Sequence, residues 1–531
     1  MRINEHIQRG NDGIYIIDGN QQLKICREIG ISSIKTDIET NEKVGTIDYD
    51  DMGMMRSIDI KRSDYLTPSK LLKYQAVGMD VMSNNAQYIA MYLRDEEITA
   101  LKLYSHSKLG FDKYEDKEIY KLYECIGCKS IYKGDLELEP KGTKDNWLSM
   151  FNQEVLGHAP LELISVISLS AVLIGYIGEE LALDTQIVHI SGNSTIGKST
   201  AMKLAISMFG YPDVKKRGLF TTYNSTDNAL IRKISGINGV PIAFDELSMS
   251  KIDNFTEVIY RITNGTDKDR LNKNLEIRKT ESWLTTVLSN GEKSLVKSAN
   301  KNAGIQVRVL EIDDLVWTKD AKNAERINQT IMNNYGHIGI EFAQFVMEKG
   351  KDEIKNIYEK CIVKIKQIFK NKNVIDEFSN RRINKFAIIL ATAILFEEML
   401  GIKLNKKEIM NILVNAEKTS IKNRNFDKSI IDYLKEYISS NPSKFKHGLE
   451  KITTNDYVGR LTNKKDYTEL EIVPMQFEKI IKEGGFEDEK VVLKELKKNG
   501  YLDHEKDRNT RKRKVNSEMK TNVYVIKIPN N

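Results

Sequence analysis

The sequence contains few prolines, cysteines and tryptophans, with 8, 4 and 3 respectively among 531 residues. So little proline argues against long proline-rich linkers, and we find no low-complexity tract or internal repeat. Four cysteines are too few for a disulfide framework, and the first residues lack the apolar segment of a secretory signal. We therefore expect a reducing, cytoplasmic location. Cys125 and Cys128 supply half of a zinc site, but no second Cys or His pair lies close to them in the sequence.

A hydrophobic run long enough to cross a bilayer is also missing. The apolar stretch at 163–178 has 16 residues and is flanked by Glu162 and Glu179. A membrane-spanning helix needs about 20 residues. We therefore predict a buried helix here and no membrane partner.

Excess charge is small and confined to one end of the chain. The net charge is +6, and residues 491–531 alone hold eight Lys and three Arg against two Asp and three Glu. The formal charges of residues 1–490 therefore sum to zero. A local basic excess points to an acidic polymer as partner, although a solvated charged end remains the alternative.

The length is too great for a single hydrophobic core and predicts several domains. Mixed β-like and helical runs indicate an α+β domain at 1–137, followed by the polar stretch 138–146. Alternating strands and helices indicate an α/β nucleotide-binding core, a parallel sheet flanked by helices, at 147–347. Helical periodicity follows at 351–425, and short basic elements fill 430–531.

A phosphate-binding loop is the strongest motif in the sequence. It matches G-x-x-x-x-G-K-[ST] between an apolar strand, QIVHI, and a helix, and its expected nucleotide contacts are Gly192, Asn193, Ser194, Thr195, Ile196, Gly197, Lys198, Ser199 and Thr200. The glycines let backbone N–H groups turn towards phosphate oxygens, Lys198 neutralises the β- and γ-phosphates, and Ser199 ligates Mg²⁺. The motif predicts ATP and Mg²⁺ as ligands.

Two further strands supply catalytic candidates. An apolar strand ends in Asp245 and Glu246, where Asp245 would hold Mg²⁺ and Glu246 would polarise the attacking water. The alternative is a helix N-cap after a core strand. The strand in SWLTTVLSNGE ends at Asn290, whose amide could orient the same water or form a turn.

Arg308 lies within an apolar pattern, AGIQVRVLEI, that predicts a strand. An arginine among core residues needs a partner. The γ-phosphate held by a neighbouring subunit would serve, as for an arginine finger, and a buried ion pair is the alternative.

Guanine specificity is disfavoured. The N-K-x-D sequence at 463–466 lies far beyond the nucleotide core and lacks the buried strand that such a motif normally ends. We interpret it as a solvated loop.

The order of these motifs resembles one family. HISGNSTIGKSTAMKLA, PIAFDEL, LTTVLSNGE, AGIQVRVLEI and RRINKFAIILATAILFEE are similar, over roughly residues 100–400, to the Cch-type, MCM-like AAA+ self-loading helicases of mobile genetic elements. The resemblance implies a hexameric ring ATPase that unwinds DNA. It identifies the loop as Walker A, Asp245 and Glu246 as Walker B, Asn290 as sensor 1 and Arg308 as an arginine acting in trans.

The resemblance also implies basic nucleotide contacts in a helical lid. In the family, an arginine is followed four residues later by Arg-Phe-Ala, and here Arg381 is followed by Lys385 in Lys-Phe-Ala. Arg382 is an equally reasonable candidate. A hairpin between Walker B and sensor 1 would enter the pore, where Lys268, Arg270 and Lys273 could contact successive phosphates of a single strand without reading sequence. A solvated basic loop is the alternative.

The basic end is predicted to form a winged-helix DNA-binding domain. Residues 487–502 indicate a helix with Lys490, Lys494, Lys497 and Lys498 on one side, residues 508–514 a hairpin tip with Arg511 and Arg513, and residues 522–528 a returning strand. The lysine face would contact duplex DNA. An ordinary hydrated helix face is the alternative.

The sequence therefore predicts an ATP-dependent DNA helicase and self-loading initiator of a mobile element that acts as a homo-oligomeric ring. Two alternatives stay open. One is an ATP-switched DNA-binding initiator or scaffold without unwinding activity, and the other is a signalling or defence P-loop ATPase.

Overall fold

The computed structural model describes residues 7–19, 21–268, 280–299, 303–376, 378–424, 426–447, 457–486, 488–514 and 520–530. The chain forms two compact units, Met1–Glu139 and Pro140–Asn531. The boundary between them falls within the polar stretch at 138–146.

The first unit is an α+β structure. Its strands are β1 (Ile7–Arg9), β2 (Gly13–Asp18), β3 (Gln21–Arg27), β4 (Ile29–Asp37), β5 (Lys43–Asp51), β6 (Met54–Lys61), β7 (Leu101–His106), β8 (Leu109–Tyr114), β9 (Lys117–Lys121), β10 (Cys125–Ile126) and β11 (Ser130–Tyr132), and its helices are α1 (Arg62–Tyr65), α2 (Pro68–Leu71) and α3 (Ala86–Glu96). A five-stranded sheet in the order β11-β7-β4-β5-β6 packs apolar side chains against α3.

The second unit begins with an α/β core that contains the predicted phosphate loop. Its elements are α4 (Lys144–Met150), α5 (Ala159–Ile177), β12 (Gln186–Ser191), α6 (Lys198–Ser207), β13 (Phe220–Thr222), α7 (Asp227–Ile234), β14 (Ile237–Asn238), β15 (Ile242–Asp245), α8 (Thr256–Asn264), β16 (Thr286–Gly291), α9 (Ala303–Arg308), β17 (Val309–Asp313), α10 (Ala321–Ile331) and α11 (Ile338–Lys349).

A five-stranded sheet in the order β13-β15-β16-β12-β17 forms the centre of this core, and each neighbouring pair of strands is parallel. Its strands are almost continuously apolar because helices cover both faces of a parallel sheet. The carboxyl ends of β12, β15 and β16 therefore meet at one edge, and the mixed α/β class is confirmed.

The apolar stretch at 163–178 lies in α5, as the sequence predicts. This helix is long and apolar enough to cross a membrane, yet 94% of its most apolar window is buried inside the protein. It packs against α6 and α11 of the core and against the long helices that follow the core. The prediction of a buried core helix is confirmed.

Three long helices, α12 (Lys351–Lys372), α13 (Ser379–Leu400) and α14 (Lys406–Arg424), follow the core. α13 packs against both α5 and α12, and α14 contacts β17. These contacts bring the first turns of α13 close to the amino end of β17.

The remaining elements form a small domain with its own apolar core. They are α15 (Phe426–Ser440), β18 (Phe445–His447), β19 (Gly459–Asn463), β20 (Tyr467–Ile472), α16 (Pro474–Glu483), α17 (Glu489–Lys498), β21 (Leu502–Asp503), β22 (Arg511–Lys514) and β23 (Lys520–Pro529). The predicted start at residue 430 lies inside α15.

Two details of this domain bear on the sequence predictions. The turn at 463–466 joins antiparallel strands β19 and β20, so the N-K-x-D sequence lies in a hairpin. The expectation that residues 508–514 form a hairpin tip is wrong, because residues 511–514 are a strand, β22, paired with β23.

Candidate functional site

The phosphate loop follows β12 and is shaped by residues with positive φ. Gly192, Thr195 and Gly197 have φ values of 135°, 73° and 85°, conformations that turn successive N–H groups to one side. Lys198 is only 8% exposed, and its Nζ donates to the carbonyl oxygens of Gly192 and Asn193 at 2.8 and 2.7 Å. The amine is therefore held across the concave side of the loop, where it could neutralise a phosphate.

Ser199 and Asp245 lie together beside this loop. The Ser199 hydroxyl donates to the Asp245 carboxylate at 3.4 Å. Burial raises the pKa of Asp245, and the neighbouring Glu246 carboxylate raises it further. A hydroxyl and a half-buried carboxylate are oxygen ligands that suit Mg²⁺, whose charge would compensate this carboxylate. The pair therefore fits a magnesium ion.

Asn290 connects the two acidic residues. Its side-chain oxygen accepts the Glu246 N–H at 2.7 Å, and its amide also hydrogen-bonds the Asp245 carboxylate. Glu246 has a φ of 59°, a conformation that is uncommon outside glycine and asparagine and is found at functional sites. Its carboxylate accepts the Ser248 hydroxyl at 2.5 Å. In this conformation Ser248 therefore holds the carboxylate.

A buried hydrogen-bonded chain underlies the site, and sequence analysis missed it. The Tyr223 hydroxyl bonds the Ser289 hydroxyl at 2.6 Å, which bonds His189 Nδ1 at 2.7 Å. Burial lowers the pKa of His189 to about 4, so the imidazole is neutral at physiological pH. Ser289 precedes Asn290, and the Tyr223 N–H bonds the Asp245 carbonyl. This network fixes the strand ends that carry the acidic residues.

A second cluster of basic residues lines a cavity of about 210 Å³ between the core and α13. Arg308, Arg381 and Lys385 surround it together with Asp184 and Gln186. The Lys385 amine donates to the Arg308 carbonyl. Burial lowers the pKa of Lys385 to about 7, and the guanidinium groups of Arg382 and Arg308 contribute to the shift.

The prediction that Arg308 lies in a strand is wrong. It is the last residue of α9, where its Nη1 donates to the Gly304 carbonyl at 3.1 Å. Its guanidinium lies over the Tyr260 ring, 4.4 Å from the centroid. The strand begins only at Val309, which pairs with Ile187 of β12.

Arg382 does not line this cavity with Arg381 and Lys385. It is 1% exposed and pairs with Glu417, which is fully buried, at 2.9 Å. Its Nη2 also donates to the Gln306 carbonyl at 2.6 Å. Arg382 therefore joins α13 to α14, an arrangement that does not favour a nucleotide contact.

The two clusters lie at opposite edges of the same sheet. Gln186 and Arg308 lie at the edge of the sheet where the strands begin. Ser191 lies at the opposite edge, where the strands end and β12 leads into the phosphate loop. Five residues of strand span roughly 16 Å. Arg308 therefore cannot reach a phosphate bound by Lys198 of its own chain.

The predicted pore hairpin is only partly described. Lys268 is exposed and forms an ion pair with Glu257. Arg270 and Lys273 lie outside the described residues.

The four lysines of α17 form one exposed face. Lys490, Lys494, Lys497 and Lys498 are all exposed. The opposite side of the helix, Val492, Leu493 and Leu496, is buried in the domain core. The predicted amphipathic helix is thus present, and α16 with α17 makes a helix–turn–helix.

In β22 the arginines and lysines face opposite ways. Arg511 pairs with Asp503 at 2.7 Å, and Arg513 pairs with Glu471 at 3.0 Å. Lys512 and Lys514, which alternate with the arginines, are exposed. The two lysines are therefore the more accessible cations, and they were missed because the segment was interpreted as a tip rather than an alternating strand.

The two cysteines that could supply half of a zinc site lie close together. Cys125 and Cys128 place their Sγ atoms 3.1 Å apart. Among the described residues, no group of three or more His, Cys, Asp or Glu side chains is placed to hold a metal ion.

Comparisons with known proteins agree with this architecture. Residues 10–282 match the family model described as "Domain of unknown function (DUF927)", and residues 425–531 match "Cch helix turn helix domain". A solved structure described as "SCCmec type IV Cch - active helicase" is similar, with a TM-score of 0.78 and 22% identity over 99% of this chain and 97% of that chain. No curated protein gives a significant match.

The predicted resemblance to the Cch proteins is confirmed by the second family model and by the shared fold, and the likeness extends well beyond residues 100–400. Because the first model matches more than half of the sequence, this chain belongs to the DUF927 family, and it ends in a Cch helix-turn-helix domain.

Proposed function

We propose that this protein is an ATP-dependent DNA helicase and self-loading initiator of a mobile genetic element, built on an AAA+ P-loop core. One observation carries the proposal. Lys198, Ser199, Asp245, Glu246 and Asn290 come from three strand ends and gather at one edge of a parallel sheet. These residue types in this arrangement are those needed to hydrolyse a nucleoside triphosphate.

Each residue has a distinct part in the proposed hydrolysis. Loop N–H groups and Lys198 hold the β- and γ-phosphates, while Ser199 and Asp245 are the ligands for Mg²⁺, which neutralises the charge of the phosphates. Glu246 accepts a proton from the attacking water, and Asn290 orients that water. Since the Glu246 carboxylate is bonded to Ser248, it must rotate before it can act.

The second basic cluster completes the site of a neighbouring subunit. Arg308, Arg381 and Lys385 lie at the far edge of the sheet, so their charges are available to a nucleotide bound by an adjacent copy. This arrangement requires a head-to-tail contact, which closes into a ring, and we propose a hexamer. We infer no nucleotide contact for Arg382, which is paired internally.

DNA is the proposed polyanion. The helix–turn–helix with its four exposed lysines on α17 would contact duplex DNA, with Lys512 and Lys514 on the adjacent strand. In the pore, Lys268, Arg270 and Lys273 would contact a single strand. A DNA-binding ATPase of this kind works in the cytoplasm, and the similar solved structure described as an active helicase supports the unwinding activity.

The catalytic proposal is tested by two substitutions. Lys198→Ala should abolish ATP hydrolysis, and Glu246→Gln should retain ATP while hydrolysis is lost. Lys366→Ala and Glu359→Gln, both at exposed positions of α12, are matched controls. Normal turnover in the Lys198 or Glu246 variant would remove the assigned roles.

Unwinding is tested separately with a forked DNA substrate. We expect strand separation with ATP and none with a non-hydrolysable analogue. DNA binding that depends on ATP without strand separation would instead support an initiator or scaffold, and hydrolysis unaffected by DNA would support a signalling or defence ATPase.

A further inference from the structure

Cys125 and Cys128 lie on a turn that carries the chain from β10 to β11. β10, which holds Cys125, pairs with β9, whereas β11, which begins at Ser130, pairs with β7. An antiparallel bridge between Glu124 and Ile131 closes the base of the turn. Strand pairing therefore holds the chain on both sides of the two cysteines.

The turn itself is tightly packed. Gly127 has a φ of 93°, which a residue with a Cβ rarely adopts, and a Cβ there would lie 2.9 Å from the Glu118 carbonyl oxygen. In this turn the Sγ atoms of Cys125 and Cys128 are 3.1 Å apart. A disulfide needs the two sulfurs at about 2 Å, so about 1 Å of movement would join them.

The two thiols differ from the other cysteines in being accessible. Cys125 and Cys128 are both partly exposed, whereas Cys26 and Cys361 are only 3% and 2% exposed. In the described ranges, no His, Asp, Glu or further Cys side chain joins the pair as a third metal ligand. The pair is therefore open to small thiol reagents and lacks the ligand set of a zinc site within this chain.

We propose that Cys125 and Cys128 form a reversible redox site, a dithiol that a low-molecular-weight disulfide such as oxidised glutathione converts to an intramolecular disulfide. In a reducing compartment, disulfides are transient or redox-sensing rather than permanent cross-links. The oxidised pair would fix the turn between β10 and β11, and excess reduced glutathione would release it.

The chemistry is a two-step thiol–disulfide exchange. Burial raises the pKa of the Cys125 thiol, so the first attack falls to Cys128. Its thiolate attacks one sulfur of oxidised glutathione, forms a mixed disulfide and releases one glutathione thiolate. Cys125 then gives up its proton, and its sulfur attacks Cys128 and displaces the second glutathione. Two protein thiols are oxidised, and one glutathione disulfide is reduced to two thiols.

The test measures the equilibrium of this exchange in the full-length protein. Cys26→Ser and Cys361→Ser are introduced together, so that the pair supplies the only thiols. The protein is equilibrated with mixtures of reduced and oxidised glutathione, and free thiols are counted by alkylation and mass spectrometry. We expect an equilibrium constant for the disulfide at least about 10-fold higher in the folded protein than in the same chain unfolded in urea, because the fold holds the two sulfurs together.

Substitutions in the turn test the geometry and the order of attack. Gly127→Ala should bring the folded value towards the unfolded one, since its Cβ would meet β9. Gly53→Ala is the matched control, because Gly53 has a φ of 91° but lies in the β5–β6 turn with open space around it. Cys125→Ser should stop at a mixed disulfide on Cys128, and Cys128→Ser should react much more slowly.

Equal equilibrium constants in the folded and unfolded chains would overturn the proposal. About one zinc ion for every two chains, with thiols that resist glutathione until a chelator is added, would also overturn it, because the pair would then be half of a metal site shared between copies. If the variant lacking Cys26 and Cys361 does not fold, the same comparison is made on the wild-type chain, with each cysteine assigned by peptide mass.

Discussion

Mixing two inactive variants tests whether Arg308 acts across a subunit interface. Lys198→Ala removes the lysine of the phosphate loop, and Arg308→Ala removes the cation at the opposite edge of the sheet. The strand between the two edges is roughly 16 Å long, further than an arginine side chain extends. Each variant alone should therefore be inactive, but each retains the half of the site that the other lacks.

The expected recovery can be worked out for a ring of any size. Loss of an arginine finger reduces turnover by about 10³-fold or more, so neither variant contributes measurable background. In an equal, random mixture, one interface in four pairs an intact phosphate loop with an intact Arg308. ATP hydrolysis per subunit should thus recover to about a quarter of the wild-type rate. A phosphate-release assay on the mixture measures this directly.

The control mixes Lys198→Ala with the double variant that carries both substitutions. No interface in that mixture has an intact pair, so it should stay inactive. If labelled subunits demonstrably exchange in the first mixture and activity does not recover, the trans role of Arg308 is refuted.

Further predictions concern the basic strand and the lid. Lys512→Ala and Lys514→Ala should each reduce the salt dependence of duplex affinity, measured in a salt titration, by about one released counterion, whereas Arg511→Ala and Arg513→Ala should mainly lower the domain's melting temperature. Glu417→Gln should cost about 3–5 kcal/mol of unfolding free energy by leaving Arg382 buried without its counter-charge, a loss that denaturant titration measures while ATP affinity is unchanged. Lys385→Met should stabilise the protein most near about pH 6 and progressively less towards about pH 10. The folded-state pKa of Lys385 is below the unfolded value, so wild-type stability rises with pH across that interval.

The phosphate loop and its flanking elements could be predicted because their requirements are local. A glycine-rich turn between a buried strand and a helix is specified by neighbouring residues, and β12 and α6 are found where QIVHI and the following residues predict them. The meeting of Asp245 and Asn290 could be anticipated as well, since parallel strands end at a common edge. Their assigned chemical roles stay predictions.

Other features depend on contacts that the sequence does not encode locally. The apolar pattern around Arg308 suits a helix or a strand equally, and the pairing of β17 with β12 begins only at Val309. Similarly, Arg381 and Arg382 are adjacent in the sequence, but one lines the cavity and the other meets Glu417 because of how α14 packs. Tertiary packing, rather than residue type, separates these candidates.

Arg308 and the acidic residues Asp245 and Glu246 lie at opposite edges of the sheet, and this separation affects when ATP can be hydrolysed. Within one chain, Arg308 lies at the edge of the sheet opposite Lys198 and Asp245, and the Glu246 carboxylate accepts the Ser248 hydroxyl. An isolated subunit should therefore bind nucleotide without hydrolysing it efficiently. We propose that assembly around DNA would bring Arg308 of a neighbouring copy to each site, so that hydrolysis would become efficient only where it can move a strand. A basal rate per subunit that rises steeply with protein concentration is the expected signature, and a rate per subunit that stays constant as the concentration crosses the assembly threshold would contradict it.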